Sequence, residues 1–550
     1  MSVTVIRGNL VDALARSMQP VEIHLQDGKI QSIQSLDGSI PDRHLPFILP
    51  GFIDAHVHIE SSMLIPSAFA ALAVTHGTVA TVSDPHEIAN VCGMEGVRFM
   101  IENGRKVPFK FYFGAPSCVP ATVFETAGDS LDAAQVRTLL EMEEVKYLSE
   151  MMNFPGAIAG DPEVMAKIDA AKALGKPVDG HAPGLRGEAL KAYADRGIST
   201  DHECFTLEEA LEKIALGMKV IIREGSAAKN FEALHPLIDR YPDMIMFCSD
   251  DKHPDSLVAG HVNQLCARAV AEGHDVFHVI RAACINPVLH YRLHVGLLRE
   301  GDPGDLVLID NLRDFRVLAT YIDGRKVAEK GASLIDTINT SIEPINRFGI
   351  AAITKEALRI PVTGDYTNPV IGCKDGQLIT DKLELSPLKK DGTWQSDIHN
   401  DVLKIVVVNR YQPAPVAIAF VHAFGLNEGA IASSVAHDSH NIVAVGVDDD
   451  SLCQAINLVI NARGGVSCVG NDKEQVLPLP IGGLMSADDG CIVAEAYTAI
   501  DLAAKALGSS LSAPFMSLSF MALLVIPHVK LSDKGLFDGD RFQFYQPLQN

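Results

Sequence analysis

Six residues far apart in this chain share one kind of chemistry: His56, His58, Glu150, His181, His202 and Asp250. Residues i and i+2 of an extended strand face the same way, so His56-x-His58 sends two imidazoles toward a common point. A chain with 20 histidines contains chance pairs. This pair, however, ends an apolar run after Pro50-Gly51, and His181, His202 and Asp250 end later runs. Imidazole and carboxylate together suit a divalent first-row metal, and the lack of cysteine partners argues against a closed structural zinc site. Glu150 sets the number of ions, because one carboxylate can bridge two of them with its two oxygens. Lys146 could bridge if carboxylated, but it lies four residues earlier, about 13 Å deeper on an ideal strand, and reads as structural. Two ions sharing a solvent oxygen bring its pKa near neutrality. Asp250 is placed to take that water's proton and pass it to a leaving group. The chemistry is metal-assisted hydrolysis of an electrophilic carbon, with the substrate left open.

Such scattered groups need a scaffold that gathers them. From Phe47 to about residue 255, short apolar runs alternate with helix-like stretches: Ile48–Ile59, Thr78–Ser83, Phe109–Gly114, Lys146–Met151, Pro177–Asp179, Gly197–Thr200, Met218–Ile222 and Met244–Cys248. Eight strands in succession, most followed by a helix, predict an α/β fold built as a (β/α)8 TIM-like barrel over residues 51–294. The polar residues that follow each run would then converge on one mouth. Residues 1–50 alternate in the strand manner, with Asp27-Gly28 as a hairpin signal. With residues 295–345 they are expected to form a small composite β domain. A boundary near 340–360 leaves residues 351–550 as an additional C-terminal α+β domain. There, strands are expected at Ile405–Val408, Val416–Phe420 and Asn441–Val447, and helices at Leu452–Arg463 and Ala494–Leu507.

Composition narrows the partners. The 550 residues are 47% hydrophobic and 21% charged, which excludes disorder, collagen and coiled coil. A net charge of −23 repels phosphate backbones and anionic membranes, so no nucleic-acid or membrane partner is expected. Ten cysteines lie scattered with no C-x-x-C pair, which suits a reducing compartment. The N-terminus lacks the pattern of a signal peptide, and the apolar stretch Phe515–Ile526 stops at Pro527, so a cytoplasmic protein is expected.

The run Pro50-Gly51-Phe52-Ile53-Asp54-Ala55-His56-Val57-His58-Ile59-Glu60-Ser61-Ser62 resembles the amidohydrolase superfamily, and more narrowly the bacterial adenine deaminases. The narrower likeness continues through Asp84-Pro85-His86-Glu87-Ile88, Glu150-Met151-Met152-Asn153-Phe154-Pro155-Gly156 and Asp179-Gly180-His181-Ala182-Pro183-Gly184. It extends through Ile222-Arg223-Glu224-Gly225-Ser226 and Ala436-His437-Asp438-Ser439-His440-Asn441 to Gly535-Leu536-Phe537-Asp538-Gly539, covering essentially the whole chain. The resemblance implies hydrolytic deamination of adenine to hypoxanthine and ammonia in purine salvage or breakdown. It also implies two divalent ions, manganese or iron with zinc possible, on His56, His58, Glu150, His181, His202 and Asp250. A homo-oligomer, a dimer, is the expected assembly. The chain begins almost at its first strand where many relatives carry an extension, which bears on oligomer contacts rather than on chemistry.

Deaminating adenine means attack at C6, a proton for N1, and a proton for the departing nitrogen, which Asp250 can shuttle. Candidates for the N1 proton are His86, Glu203 and Glu224, in that order. Each could equally orient a metal ligand. Arg223 and Ser226 either contact purine nitrogens or order the seventh loop. His437-Asp438-Ser439-His440 reads as a structural loop or a wall of the mouth before it reads as a second metal site or a triad, because triads are spatial. Asn427-Glu428-Gly429 reads as a turn. The H-x-E…P-C-x-x-C signature of zinc nucleobase deaminases is absent, so the scaffold differs. The alternative reaction is hydrolysis of a cyclic amide of hydantoin or dihydropyrimidine type; those relatives favour a carboxylated lysine where this chain has Glu150.

Overall fold

The computed structural model describes residues 3–36, 41–337 and 343–546. Eight short parallel strands lie at its centre. Phe52–Val57, Thr78–Ser83, Lys110–Ala115, Val145–Met151 and Val178–Gly180 form one sheet in chain order; Thr200–Asp201, Lys219–Arg223 and Ile245–Cys248 form a second. Single parallel bridges join Val57 to Asp250 and Val178 to Ile198, at the two seams between these sheets. Strands covered on both faces read as near-continuous apolar runs rather than alternating ones. That is the pattern here: Phe52–Val57 and Thr78–Ser83 are buried at every position.

The covering helices follow from local sequence. Ala133–Leu140 starts at a capping box in which Asp132 and Gln135 satisfy each other's backbone N–H groups, and it buries Val136, Leu139 and Leu140 at i, i+3 and i+4. Leu207–Ala215 is capped by Thr206 and turns Ala210 and Ile214 inward. Two of the expected strands differ by more than a residue. The run read as Ile48–Ile59 divides: Phe47–Pro50 joins a different sheet, and Phe52–Val57 stops before Ile59 because Ile59–Ser62 forms a 3₁₀ turn whose Ser62 hydroxyl bonds back to the Ile59 carbonyl. The sixth is only Thr200–Asp201, with Ile198 bridging to its neighbour before the strand begins.

Residues from both flanks of the parallel strands share a separate eight-stranded sheet. Thr4–Asp12, Ser17–Gln26, Lys29–Ser35 and Phe47–Pro50 join Leu306–Ile309, Val317–Ile322, Arg325–Glu329 and Ala332–Ser333. The joint is Phe47–Pro50, antiparallel to Leu306–Ile309 and parallel to Thr4–Asp12. Asp27 and Gly28 form the two-residue hairpin loop, both with positive φ, as a type I′ turn requires. The boundary read near 340–360 falls partly on residues 338–342, outside the described ones.

The C-terminal residues form another eight-stranded sheet around Val402–Val408, Ala417–His422, Ala430–Ser433 and Ile442–Gly446, flanked by helices Asp449–Ala462 and Gly490–Ala506. These elements match those expected to within a few residues. This domain touches loops that follow the carboxyl ends of the parallel strands. Ile65 and Ser486 pair backbones, Asn441 donates to the Thr126 carbonyl, Ser532 to Phe124, and Ala228 to Gly376. The largest apolar core runs unbroken from the parallel strands into these C-terminal elements. No helix among the described residues is long and apolar enough to cross a membrane.

Candidate active site

The carboxyl ends of the parallel strands bring all six metal-type residues together, and all six are buried. His56 Nε2 and His58 Nε2 stand 3.1 Å apart, and Asp250 Oδ1 lies 3.4 and 3.3 Å from them. Donors about 2.0–2.2 Å from one tetrahedral or octahedral ion stand roughly 3.0–3.5 Å from one another. Three lone-pair atoms at that spacing, in a space sealed from solvent, fit a divalent cation. Glu150 reaches both ways. Its Oε1 is 3.3 Å from His58 Nε2, and its Oε2 is 2.6 Å from His181 Nδ1 and 3.2 Å from His202 Nε2. The Nε2 atom of His181 is buried with no hydrogen-bond partner.

Neighbouring groups fix these ligands. The Asp54 carboxylate, on the first strand, accepts from the Ser249 backbone and hydroxyl and contacts His261 Nε2, which ties the eighth strand's end to the first. His58 Nδ1 meets the Asp84 carbonyl at 3.1 Å, leaving Nε2 for the cluster. Asn230 holds the loop after the sixth strand by donating to the His202 and Cys204 carbonyls.

Burial opposes every charge in this space, and the partners decide the outcome. Against that burial, Arg223, His56 and His58 hold the Asp250 carboxyl well below its usual range. Glu150 is likewise held well below by His181 and His202. Burial would push His181 down, but Glu203 and Glu150 prevail and raise it to about 9. His58 is raised well above its usual value, its burial outweighed by hydrogen bonds to Asp250 and Glu150. The carboxylates thus favour the protonated form of both imidazoles, and a cation held there would replace those protons.

The other candidates occupy different places. His86 is buried at the start of its helix, with Nδ1 3.0 Å from Asp84 Oδ2 and 3.4 Å from Glu150 Oε1. Its Nε2 faces Asp438 Oδ1 at 3.5 Å, so the C-terminal domain reaches the site. Glu203 approaches His202 and His181 to 3.5 and 3.6 Å, but both its oxygens also engage Arg223. Arg223 spans Glu203 and Asp250, reaching the latter at 2.8 Å, so its guanidinium is occupied by carboxylates. Glu224 turns the other way, because successive strand residues alternate faces, and pairs with Arg268 at 3.0 Å. Ser226 Oγ accepts from the His253 N–H at 2.9 Å and meets Ser256 Oγ at 3.1 Å, ordering the eighth loop.

Three participants were not among the residues given a catalytic, binding or metal role from the sequence. Asp84 was legible in the Asp84-Pro85-His86 run, but its contact with His86 is a turn geometry. Asp251 is buried and accepts from the Ser61 hydroxyl at 2.6 Å. Asp438, read with its neighbours as a structural loop or a wall of the mouth, faces His86, a contact that no local signal announces.

Comparison with known proteins agrees along the chain. Residues 47–327 match the amidohydrolase family and residues 377–543 the adenine deaminase C-terminal domain. The chain is 55% identical over 541 residues to the adenine deaminase of Salinibacter ruber, covering 98% of each. It is 54% identical over 542 residues to that of Sulfurovum sp. and 50% identical over 547 to that of Methanosarcina acetivorans, again covering 98% of each chain. With two matched domains and near full-length identity, this chain belongs to the adenine deaminase family of amidohydrolases.

Proposed function

We propose that this protein hydrolyses adenine to hypoxanthine and ammonia at the buried cluster of His56, His58, Glu150, His181, His202 and Asp250. The observation that carries the reading is Glu150, whose two oxygens face two separate histidine pairs. His56, His58, Asp250 and Glu150 Oε1 would hold one divalent ion, and His181, His202 and Glu150 Oε2 a second. Manganese or iron is the proposed metal, with zinc also suited to the donors. Such a pair supplies a water acidified to near neutral pH and a fixed line of attack.

The chain's own groups then manage protons. Asp250, held by Arg223, takes one proton of the attacking water and delivers it to the C6 nitrogen, which leaves as ammonia, while the other water proton is released to solvent and balances the one His86 gives to N1 and regains. His86 is the proposed donor to N1, because its Nε2 has no hydrogen-bond partner and its Nδ1 is backed by Asp84. Glu203 and Arg223 orient Asp250 and the second histidine pair. Glu224 and Ser226 order the loops beside the site, and the sealed surroundings exclude competing water.

The scaffold we infer is a closed (β/α)8 barrel spanning 51–294, supported by the bridges Val57–Asp250 and Val178–Ile198 at its seams. A small β domain (1–50 with 295–345) and a C-terminal domain (351–550) complete it. Manganese-loaded protein is expected to convert adenine to hypoxanthine, followed by ultraviolet absorbance, and to leave a hydantoin untouched. Fully metallated protein that leaves adenine unchanged overturns the reading.

A further inference from the structure

Beside the proposed catalytic cluster lies a second group of metal-type side chains that the deamination chemistry does not use. Glu87 opens the helix after the second barrel strand, Asp251 follows the eighth, and His437 lies in the C-terminal loop after Ala430–Ser433. All three are buried, and one donor atom from each falls within 4.8 Å of the others. His437 Nδ1 is 2.5 Å from Glu87 Oε1, and its Nε2 is 3.7 Å from Asp251 Oδ1. Ser61 Oγ touches both carboxylates, at 2.6 Å to Asp251 and 3.4 Å to Glu87. His440 Nε2 lies 3.9 Å from Glu87 Oε2.

We propose that Glu87, Asp251 and His437 hold a further divalent cation, separate from the catalytic pair, which pins the C-terminal domain over the barrel mouth. The simpler description is a buried Glu87–His437 ion pair beside an Asp251–Ser61 hydrogen bond. It leaves too much unsatisfied. Glu87 Oε2, His437 Nε2 and His440 Nε2 are buried without hydrogen-bond partners, as is Oε2 of nearby Glu60. Native interiors rarely leave such atoms bare. Charge points the same way: two carboxylates face one imidazole that must share its proton, and a divalent ion balances both. Nitrogen and oxygen donors without sulfur suit manganese or zinc.

The test uses the full-length chain, stripped with a chelator, reloaded with Mn2+ alone, desalted and assayed for bound metal. The wild type is expected to retain three ions per chain, and Glu87→Gln and His437→Asn two each. A His58→Ala/His181→Ala variant is expected to keep one. An anomalous difference map at the manganese edge should show a peak between Glu87, Asp251 and His437. Two ions in the wild type with no peak there, or three in both Glu87→Gln and His437→Asn, overturns the proposal. If the catalytic pair is what fails, the wild type and the His58/His181 variant will both hold one ion and the seam peak will persist. If either seam variant does not fold, the wild-type map decides alone.

Discussion

At the scale of single residues, the site depends on side chains that are useful only because several partners restrain them. Glu150 shows this best, since its two oxygens divide between two histidine pairs. Glu150→Gln keeps the shape but removes the charge and one good bridging oxygen. It is expected to lose one metal equivalent relative to the wild type and at least about 100-fold in activity, read by metal analysis and initial rates. Arg223 is a different case: it is fully buried and neutralises Glu203 and Asp250 together. Arg223→Met would strand two carboxylates, and removing one partner of a buried pair costs about 3–5 kcal/mol. A lower urea midpoint is expected, partly recovered by Arg223→Lys. An unchanged midpoint would mean that solvent or an ion already compensates those charges.

At the scale of elements, strand ends carry the proposed ligands and neighbouring strands hold them in place. Asp54 on the first strand clamps Ser249 and His261, and through them the backbone that presents Asp250. Asp54→Ala should lower Tm and reduce turnover about tenfold without changing the number of ions bound, because the ligands remain but lose their support. In the C-terminal domain, Lys530 sits on the strand Val529–Ser532 with its ammonium buried against the Leu378 and Phe520 carbonyls. Burial pushes it down to about 7. An unfolded lysine titrates near 10.4, so between those values the unfolded chain binds the extra proton and stability contributed at this position rises with pH. Lys530→Met removes that dependence. The difference in Tm between variant and wild type should therefore be most favourable to the variant near pH 7 and shrink toward pH 10.

At the scale of the whole molecule, the apolar core continues from the parallel strands into the C-terminal elements, so the two parts are expected to unfold together. Metal binding is linked to that unfolding: an ion held only by the native state stabilises it by about 4 kcal/mol when free ion exceeds Kd a thousandfold. Chelation should lower Tm and readdition of Mn2+ should restore it. A Tm indifferent to chelator would show that the cluster does not hold an ion under those conditions.

The sequence by itself determined which residues could bind metal. His56, His58, Glu150, His181, His202 and Asp250 all lie at or just beyond the ends of apolar runs, and a short buried run is a local property that the chain displays openly. The Asp27-Gly28 hairpin was legible for the same reason: a two-residue turn needs positive φ, and its residue types announce that. What only the tertiary structure decided are meetings between distant segments. Asp251 meets Ser61, 190 residues earlier, which donates to it; Asp438 faces His86 because an entire domain docks against the loops that follow the parallel strands. Glu224 was a candidate for the N1 proton beside His86 and Glu203, yet it lies one residue past its strand's end and pairs with Arg268 instead. Docking between domains is set by complementary surfaces assembled from many elements, and no window of sequence contains such a surface.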